Sequence, residues 1–154
     1  MIEVTDIRKR FGTLEVLKGV SLDVAQGEVV SIVGASGAGK TTLLQIIGTL
    51  SRPDCGRVEI DGRDVSALGD RALSQFRNER IGFVFQFYNL VQNLTALENV
   101  ELAAQICRDP LDAEEVLRHV GLGERLNNFP AQLSGGEQQR VAIARALAKN
   151  PKIL

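Results

Sequence analysis

The feature that most constrains the fold is a glycine-rich loop at residues 34–42, with the sequence GASGAGKTT. It fits the pattern G-x-x-x-x-G-K-[ST], in which backbone N–H groups converge on phosphate oxygens. The apolar residues 29–33 that precede the loop predict a strand buried on both faces, and the residues that follow it have helical spacing. This order of strand, loop and helix is the context that the pattern requires. The sequence therefore predicts a phosphate-binding loop within an α/β fold.

The residues of this loop divide the task of holding a triphosphate. Glycine permits backbone conformations that other residues avoid, and the helix N-terminus adds a partial positive charge. The Lys40 ammonium is predicted to reach the β- and γ-phosphates, and the Thr41 hydroxyl to coordinate Mg²⁺. The predicted phosphate-binding residues are Gly34, Ala35, Ser36, Gly37, Ala38, Gly39, Lys40, Thr41 and Thr42. The alternative is a glycine-rich turn with an incidental Lys-Thr pair.

Composition narrows the class of protein. The 154 residues are enough for one domain, and the net charge of −1 gives no electrostatic reason to expect nucleic acid as a partner. No apolar run approaches the length of a membrane span. The N-terminus lacks the charged segment followed by an apolar segment that is typical of a signal peptide. The two cysteines have neither C-x-x-C spacing nor nearby histidine ligands. Any role at a membrane is therefore expected to come through a partner.

Periodicity places strands first and helices later. Residues 2–11 and 14–24 alternate apolar and polar side chains, which predicts two antiparallel strands. Residues 81–85 predict another short strand, which ends at Gln86. From residue 95 to residue 125 the pattern is helical, and it opens with a capping box of Thr95 and Glu98. We therefore expect a strand-rich layer and phosphate-loop core over residues 1–86, a helical subdomain over 87–134, and a helix together with the start of a further strand over 135–154.

A second glycine-rich helix start lies at residues 132–140, with the sequence QLSGGEQQR. Ser134 and Glu137 form a capping box. Gly135 and Gly136 weaken the helix by up to ~1 kcal/mol each relative to alanine, so local stability does not explain them. The two glycines are explained if they leave the backbone N–H groups of the helix N-terminus open to an anion. An ordinary capped helix with two spare glycines is the alternative.

The stretch LSGGEQQR resembles the signature motif of the ABC-type ATPases, and the resemblance covers essentially the whole chain. It implies an α/β fold with a P-loop NTPase core, an antiparallel β layer and a helical insertion. In that family an aromatic residue near the N-terminus stacks on adenine, and Phe11 matches its place; packing in the core is the alternative for Phe11. Gln86 matches the glutamine that contacts Mg²⁺ or the attacking water, although by its position alone it is only a polar residue at a strand end.

The resemblance also implies the assembly and the cofactors, which are ATP and Mg²⁺. Two such subunits pair head to tail, as a homodimer or a heterodimer, with ATP between the phosphate loop of one and the signature helix of the other. Ser134, Gly135, Gly136 and Glu137 would then lie at the γ-phosphate in trans. Residues 80–90 and 94–100 look most like the subgroup that serves lipoprotein release and macrolide or peptide efflux. In that subgroup Phe87 and Tyr88 would face a membrane permease, which places the subunit at the cytoplasmic face of the membrane; a satellite hydrophobic cluster is the alternative.

The family's next elements are a Walker B strand with its aspartate, an adjacent catalytic glutamate and a switch histidine. The chain ends at Leu154, where that strand is expected to begin, so the sequence predicts an incomplete ATPase with very little turnover. His119 lies in the helical insertion and is not assigned as the switch. The sequence also allows two alternatives, a soluble non-transport ABC ATPase and a nucleotide-gated regulatory module without turnover.

Overall fold

A hairpin of two long strands forms the base of the first unit, residues 1–73, in the computed structural model, which describes residues 1–154. Strand β1 (Ile2–Phe11) pairs antiparallel with β2 (Leu14–Val24). Strand β3 (Cys55–Ile60) pairs with the other edge of β1, and β4 (Arg63–Asp64) completes a sheet of order β2-β1-β3-β4. The prediction of an antiparallel layer built from the two alternating segments is confirmed.

Apolar side chains on one face of this sheet form the core of the first unit together with helix α1 (Lys40–Ile47). In β1 the buried residues recur with the period of about two that a half-buried strand requires. The α1 helix contributes the buried side chains on one of its faces. The buried apolar residues of this unit are Ile2, Val4, Ile7, Leu17, Leu43, Ile46, Val58, Ile60, Val65 and Leu73.

The strand predicted for residues 29–33 does not form in this chain. Val29 is 96% exposed and Val33 is 85% exposed, and no strand pairs with this segment. The segment leaves β2 through a turn in which the Ala25 N–H donates to the Glu28 carboxylate (2.8 Å). A run of β-branched residues forms a strand only where neighbouring strands supply hydrogen bonds, and no other segment of this chain supplies them here. The sequence pattern was correct about apolar character and wrong about burial.

The strand predicted for residues 81–85 is also nearly absent. Ile81 alone pairs, through one parallel bridge with Ile153. The Gly82 N–H donates to the Ile153 carbonyl at 2.8 Å, and the Ile153 N–H donates to the Arg80 carbonyl at 3.0 Å. The chain continues from Ile81 without regular structure through Gln86. The only segment that pairs with residues 81–85 is the short stretch around Ile153, and this pairing forms a single bridge rather than a strand.

Four helices and a single helical turn form the regular structure of the second unit, residues 74–154. Helix α2 (Asp70–Arg80) contains the boundary between the two units, and α3 (Ala96–Ala104), α4 (Ala113–His119) and α5 (Gly135–Leu147) follow. A 3₁₀ turn at Pro130–Gln132 leads into α5. The helical character predicted for residues 95–125 is confirmed at α3 and α4, whereas residues 105–112 and 120–125 are not helical.

The core of the second unit lies where α3 and α4 pack on α5. Small residues on α5 allow this close packing, because alanine lets helix backbones approach. The buried members of the core are Leu90, Ala96, Val100, Ala113, Val116, Leu117, Leu122, Leu133, Val141, Ala142, Ala144 and Ala148. Among the helices, none combines the length and the apolar character needed to cross a lipid bilayer.

Candidate functional site

The glycine-rich loop wraps around the ammonium group of Lys40. This lysine is the first residue of α1, and its Nζ donates to the Gly34 carbonyl at 2.9 Å and to the Ala35 carbonyl at 2.6 Å. A further bond closes the loop, from the Ala38 N–H to the Ala35 carbonyl at 3.2 Å. A positive charge therefore lies at the centre of the loop without a carboxylate partner, which is the electrostatic requirement for an anion site.

The first turn of α1 presents unused hydrogen-bond donors beside this charge. The Leu43 N–H is the first to bond within the helix, to the Gly39 carbonyl at 2.9 Å. The N–H groups of Lys40, Thr41 and Thr42 have no partner in the chain, and Gly39 makes no side-chain cap. An α-helix leaves these donors free at its N-terminus, where its dipole is positive. The Lys40 charge and the free N–H groups are thus suited to bind a phosphate group. Thr41 is exposed at the same helix start.

Within the phosphate loop, the packing leaves no room for a side chain at Gly39. Its backbone is left-handed (φ +89°), and a Cβ at this position would lie 2.9 Å from Val16 Cγ1 and 2.9 Å from Leu17 Cδ2. A side chain would therefore be strained by the backbone and would collide with β2. This contact holds the beginning of α1 against the β1–β2 hairpin within the first unit.

Phe11 lies at the tip of that hairpin and is 55% exposed. Its partner across the turn is Leu14, which is 65% exposed. The alternative of an aromatic ring packed in the core is therefore wrong, because the ring faces solvent. The Lys9 ammonium lies 5.8 Å from the ring centroid, within the range of a cation–π contact. An exposed ring in this position is available to stack on a ligand.

The second glycine-rich segment begins α5 with the predicted capping box. Glu137 N–H donates to Ser134 Oγ (3.3 Å), and Glu137 Oε2 accepts from both the N–H and the hydroxyl of Ser134 at 2.8 Å. These two donors, the N–H first, lower the pKa of Glu137, and the Arg125 guanidinium lowers it further through a bond of 3.2 Å to Oε1. Arg125 thus fixes the other oxygen of the carboxylate, a contact that the sequence pattern did not reveal.

Neither glycine of the second segment is required by space within the chain. A Cβ at Gly135 would meet nothing closer than the Tyr88 hydroxyl at 3.8 Å, and one at Gly136 nothing closer than Arg140 Nη1 at 3.8 Å. Both glycines are exposed and have ordinary helical backbones. Because internal packing does not demand them, their use is consistent with the approach of an external group to bare backbone N–H groups.

Gln86 is exposed and lies in an irregular segment that borders α5. A depression of about 500 Å³ is lined by Gln86, Phe87, Tyr88, Asn89, Leu90, Gln92 and Gln138. Phe87 is 78% exposed. An exposed aromatic residue beside a depression is a feature of surfaces that bind partners.

Arg145 attaches this segment to α5. Its guanidinium donates to the Tyr88 carbonyl at 2.7 Å and to the Asn89 carbonyl at 2.6 Å. The side chain is half-buried, and burial lowers its pKa. Sequence reasoning missed Arg145, although a charged residue within the apolar run VAIARAL is itself a signal that the charge has a partner.

The predicted site residues fall into two groups, one in each unit. The first unit holds Phe11, which pairs with Leu14 of β2, and all of the loop from Gly34 to Thr42, whose Gly39 packs on the same strand. The second unit holds Gln86, Ser134, Gly135, Gly136 and Glu137, with both Gln86 and α5 contributing to one depression. His119 is exposed at the end of α4, where its Nδ1 lies 2.8 Å from the Glu115 carbonyl, so it belongs to neither group.

Comparison with known proteins gives one consistent result. The family model described as ABC transporter matches residues 17–154. The chain is 54% identical to the lipoprotein-releasing system ATP-binding protein LolD of Cytophaga hutchinsonii, covering 100% of this chain and 73% of that protein. It is 55% identical to the protein of the same name from Bacteroides fragilis, covering 100% of this chain and 74% of that protein.

Solved structures agree with the sequence comparison. The dimeric structure of MJ0796, a bacterial ABC transporter cassette, matches with a TM-score of 0.88 at 45% identity, over 98% of this chain and 71% of that chain. A dimeric post-hydrolysis state of the same cassette, bound to ADP and Pi, matches with a TM-score of 0.86 at 45% identity and the same coverage.

Proposed function

Because the chain belongs to the ABC transporter family, we propose that it binds ATP for a transporter that handles lipoproteins at a membrane. The resemblance to ABC ATP-binding subunits that the signature motif predicted is confirmed by the family match and by the relatives. The link to lipoprotein release is supported by the names of relatives that share more than half of their aligned residues with this chain. We infer a permease as the membrane partner and the cytoplasmic face of the membrane as the location.

One observation carries the assignment of the nucleotide site. The Lys40 ammonium lies among the loop carbonyls, beside three helix N–H groups that have no partner. Lys40 and these donors would bind the β- and γ-phosphates, and the exposed Phe11 ring would stack on adenine. The Thr41 hydroxyl would coordinate Mg²⁺, which when bound offsets the negative charge of the phosphates.

The second glycine-rich helix start would complete the site in a dimer. Ser134, Gly135 and Gly136 are exposed at the start of α5, where a phosphate held by a second subunit would reach them. The Ser134 hydroxyl would then exchange its bond to Glu137 for one to the phosphate. Dimerisation is supported by the dimeric structures that this chain resembles. ATP would then stabilise the dimer, and hydrolysis of the ATP would let the subunits separate. Binding and hydrolysis would therefore shift the populations of the dimer and of the separated subunits.

The segment after Gln86 is the surface that we assign to the permease. Phe87 exposes most of its ring, and it borders the depression at the side of α5. Phe87→Ala is expected to reduce co-purification with membrane proteins and to leave ATP affinity unchanged. Co-purification equal to that of the unmodified protein would remove this segment from the proposed interface.

Replacement of the loop lysine tests the nucleotide site directly. Lys40→Ala removes the charge that faces the phosphates, so we expect Mg-ATP affinity to fall by at least about tenfold. Lys18→Ala, which removes an exposed lysine of β2 in the same unit, is the matched control and is expected to bind normally. Calorimetric titration measures both variants. Equal ATP affinity in Lys40→Ala and Lys18→Ala would contradict the assignment of the loop.

A further inference from the structure

The ring of Phe11 is held by a small set of charged contacts at the end of β1. The Lys9 ammonium lies 5.8 Å from the ring centroid, on one side of a ring that is 55% exposed. The same ammonium donates to Asp54 Oδ1 at 2.8 Å. The Lys9 side chain is only 16% exposed, and its ammonium is shared between the carboxylate and the ring.

Asp54 makes three contacts to the last residues of β1. Besides its bond to Lys9, its Oδ2 accepts from the Arg10 N–H at 2.7 Å, and its own N–H donates to the Arg8 carbonyl at 2.9 Å. The ladder between β1 and β3 ends at the pair Arg8 and Cys55. Asp54 therefore continues the attachment of β1 beyond the end of the ladder, up to the residue before Phe11.

The position of Asp54 is itself fixed by close backbone packing. Gly56 has φ +87°, and a Cβ there would lie 2.5 Å from the Thr5 carbonyl oxygen and closer still to that of Asp6. The turn that carries Asp54 thus lies tightly against β1. The Lys9 ammonium, followed by the Arg10 N–H, lowers the pKa of Asp54, so its carboxylate is charged at neutral pH.

The same hairpin carries the phosphate loop on its other strand. Leu17 pairs with Lys9 across the hairpin, and Leu17 and Val16 are the residues against which Gly39 packs. The β1–β2 ladder, which has an irregularity between Lys9 and Arg10, therefore connects the residues that hold the Phe11 ring to the glycine at the start of α1. The distance from the ring to the phosphate loop is consequently set by the end of β1.

We propose that Asp54 is a positioning residue for the nucleotide base. By holding Lys9 and the Arg10 backbone, it fixes the Phe11 ring relative to the phosphate loop, and Lys9 occupies one side of the ring so that adenine stacks on the other. The proposal rests on the proposed function, in which Phe11 binds adenine. Asp54 touches no nucleotide atom in this scheme and acts only through Lys9 and Phe11.

A comparison of two ligands tests this role. Calorimetric titration would measure the affinity of Asp54→Ala for ATP and for tripolyphosphate, which has phosphates but no base. We expect ATP affinity to fall roughly three- to tenfold, the range of a stacking and cation–π contact, with tripolyphosphate affinity unchanged. Asp54→Asn keeps an acceptor for the Arg10 N–H and is expected to retain part of the ATP affinity. Asp23→Ala, an exposed carboxylate on β2, is the matched control.

A double-variant cycle separates positioning from a general structural effect. Once Phe11→Ala has removed the ring, Asp54→Ala is expected to cause no further loss of ATP affinity. An equal loss for ATP and tripolyphosphate, an undiminished ATP affinity in Asp54→Ala, or an equal further loss in the Phe11→Ala background would each overturn the proposal. Failure of the proposed function would look different, because the unmodified protein would then bind neither ligand.

Discussion

At the scale of single residues, Gly39 and Gly37 have the same kind of backbone but different surroundings. Both have a left-handed φ, +89° for Gly39 and +78° for Gly37. A Cβ at Gly39 would collide with β2, whereas one at Gly37 would meet nothing within 4 Å. The pair therefore allows the cost of backbone strain to be separated from the cost of a collision.

Alanine at each glycine is expected to give different losses of stability. Gly37→Ala adds only strain, about 1 kcal/mol, whereas Gly39→Ala adds strain and a collision, roughly 2–4 kcal/mol in the free energy of unfolding. Urea denaturation of the two variants measures the difference. Equal losses would mean that β2 moves aside without cost and that the contact does not hold the loop in place.

At the scale of elements, two helices of the second unit, α3 and α5, begin with caps that depend on a charged glutamate. The N–H of Thr95, followed by its hydroxyl, lowers the pKa of Glu98 at the start of α3, and Ser134 does the same to Glu137 at the start of α5. A carboxylate whose pKa is lowered by folding stabilises the fold above its ordinary pKa of about 4.5. That contribution is lost as pH falls through the lowered value.

We expect the double variant Glu98→Gln, Glu137→Gln to be less sensitive to acid than the unmodified protein. Glutamine keeps the capping geometry but has no charge to lose. The unmodified protein should be more stable at pH 7, and the difference should shrink as pH falls below about 4.5. Urea midpoints across this range measure it. Glu101→Gln, an exposed position on α3, is the control, and a difference independent of pH would contradict the prediction.

The end of α5 attaches the segment after Gln86 by two charge-assisted hydrogen bonds from Arg145. Arg145→Ala leaves two carbonyls without their donor, so we expect a loss of roughly 1–3 kcal/mol in the free energy of unfolding and faster amide exchange around Leu90. Arg145→Lys restores the charge but not the planar fork, and should recover only part of the loss. Arg140→Ala, at an exposed position on the same helix, is the control. Unchanged exchange in Arg145→Ala would show that the segment is held by other contacts.

At the scale of the whole molecule, the two groups of site residues lie in different units, and the proposed function joins them through a second subunit. A mixture of two inactive variants tests this arrangement. Lys40→Ala lacks the loop charge, and Ser134→Ala lacks the signature hydroxyl, so neither alone is expected to form an ATP-dependent dimer. In a head-to-tail pair of one with the other, one of the two sites has both residues.

Mixing Lys40→Ala with Ser134→Ala is therefore expected to restore part of the ATP-dependent dimer, as measured by size-exclusion chromatography with light scattering. A mixture that dimerises no better than its components would mean that Lys40 and Ser134 serve the same site within one subunit. The assay needs no permease, so its outcome is independent of the assignment of Phe87.

The local elements of this chain could be read from the sequence because their causes are local. The spacing of glycine, lysine and threonine specifies the loop around Lys40, and a serine three residues before a glutamate specifies the cap of α5. Alternation specifies the β1–β2 hairpin, since its two strands are neighbours in sequence and pair with each other. The family followed from the signature motif for the same reason, as the motif is a continuous stretch of chain.

Strand pairing and the long-range side-chain contacts were decided only by the tertiary structure, because they depend on partners distant in sequence. Residues 29–33 and 81–85 have the composition of buried strands, yet a strand needs hydrogen bonds from neighbours, and this chain gives Ile81 a single bridge and Val29 none. The attachment of Asp54 to Lys9, 45 positions away, and of Arg145 to Asn89, 56 positions away, has no trace in local spacing. Local stereochemistry and periodicity fix where elements begin and what they present, whereas the contacts that position Phe11 and the segment after Gln86 arise only when the chain has folded.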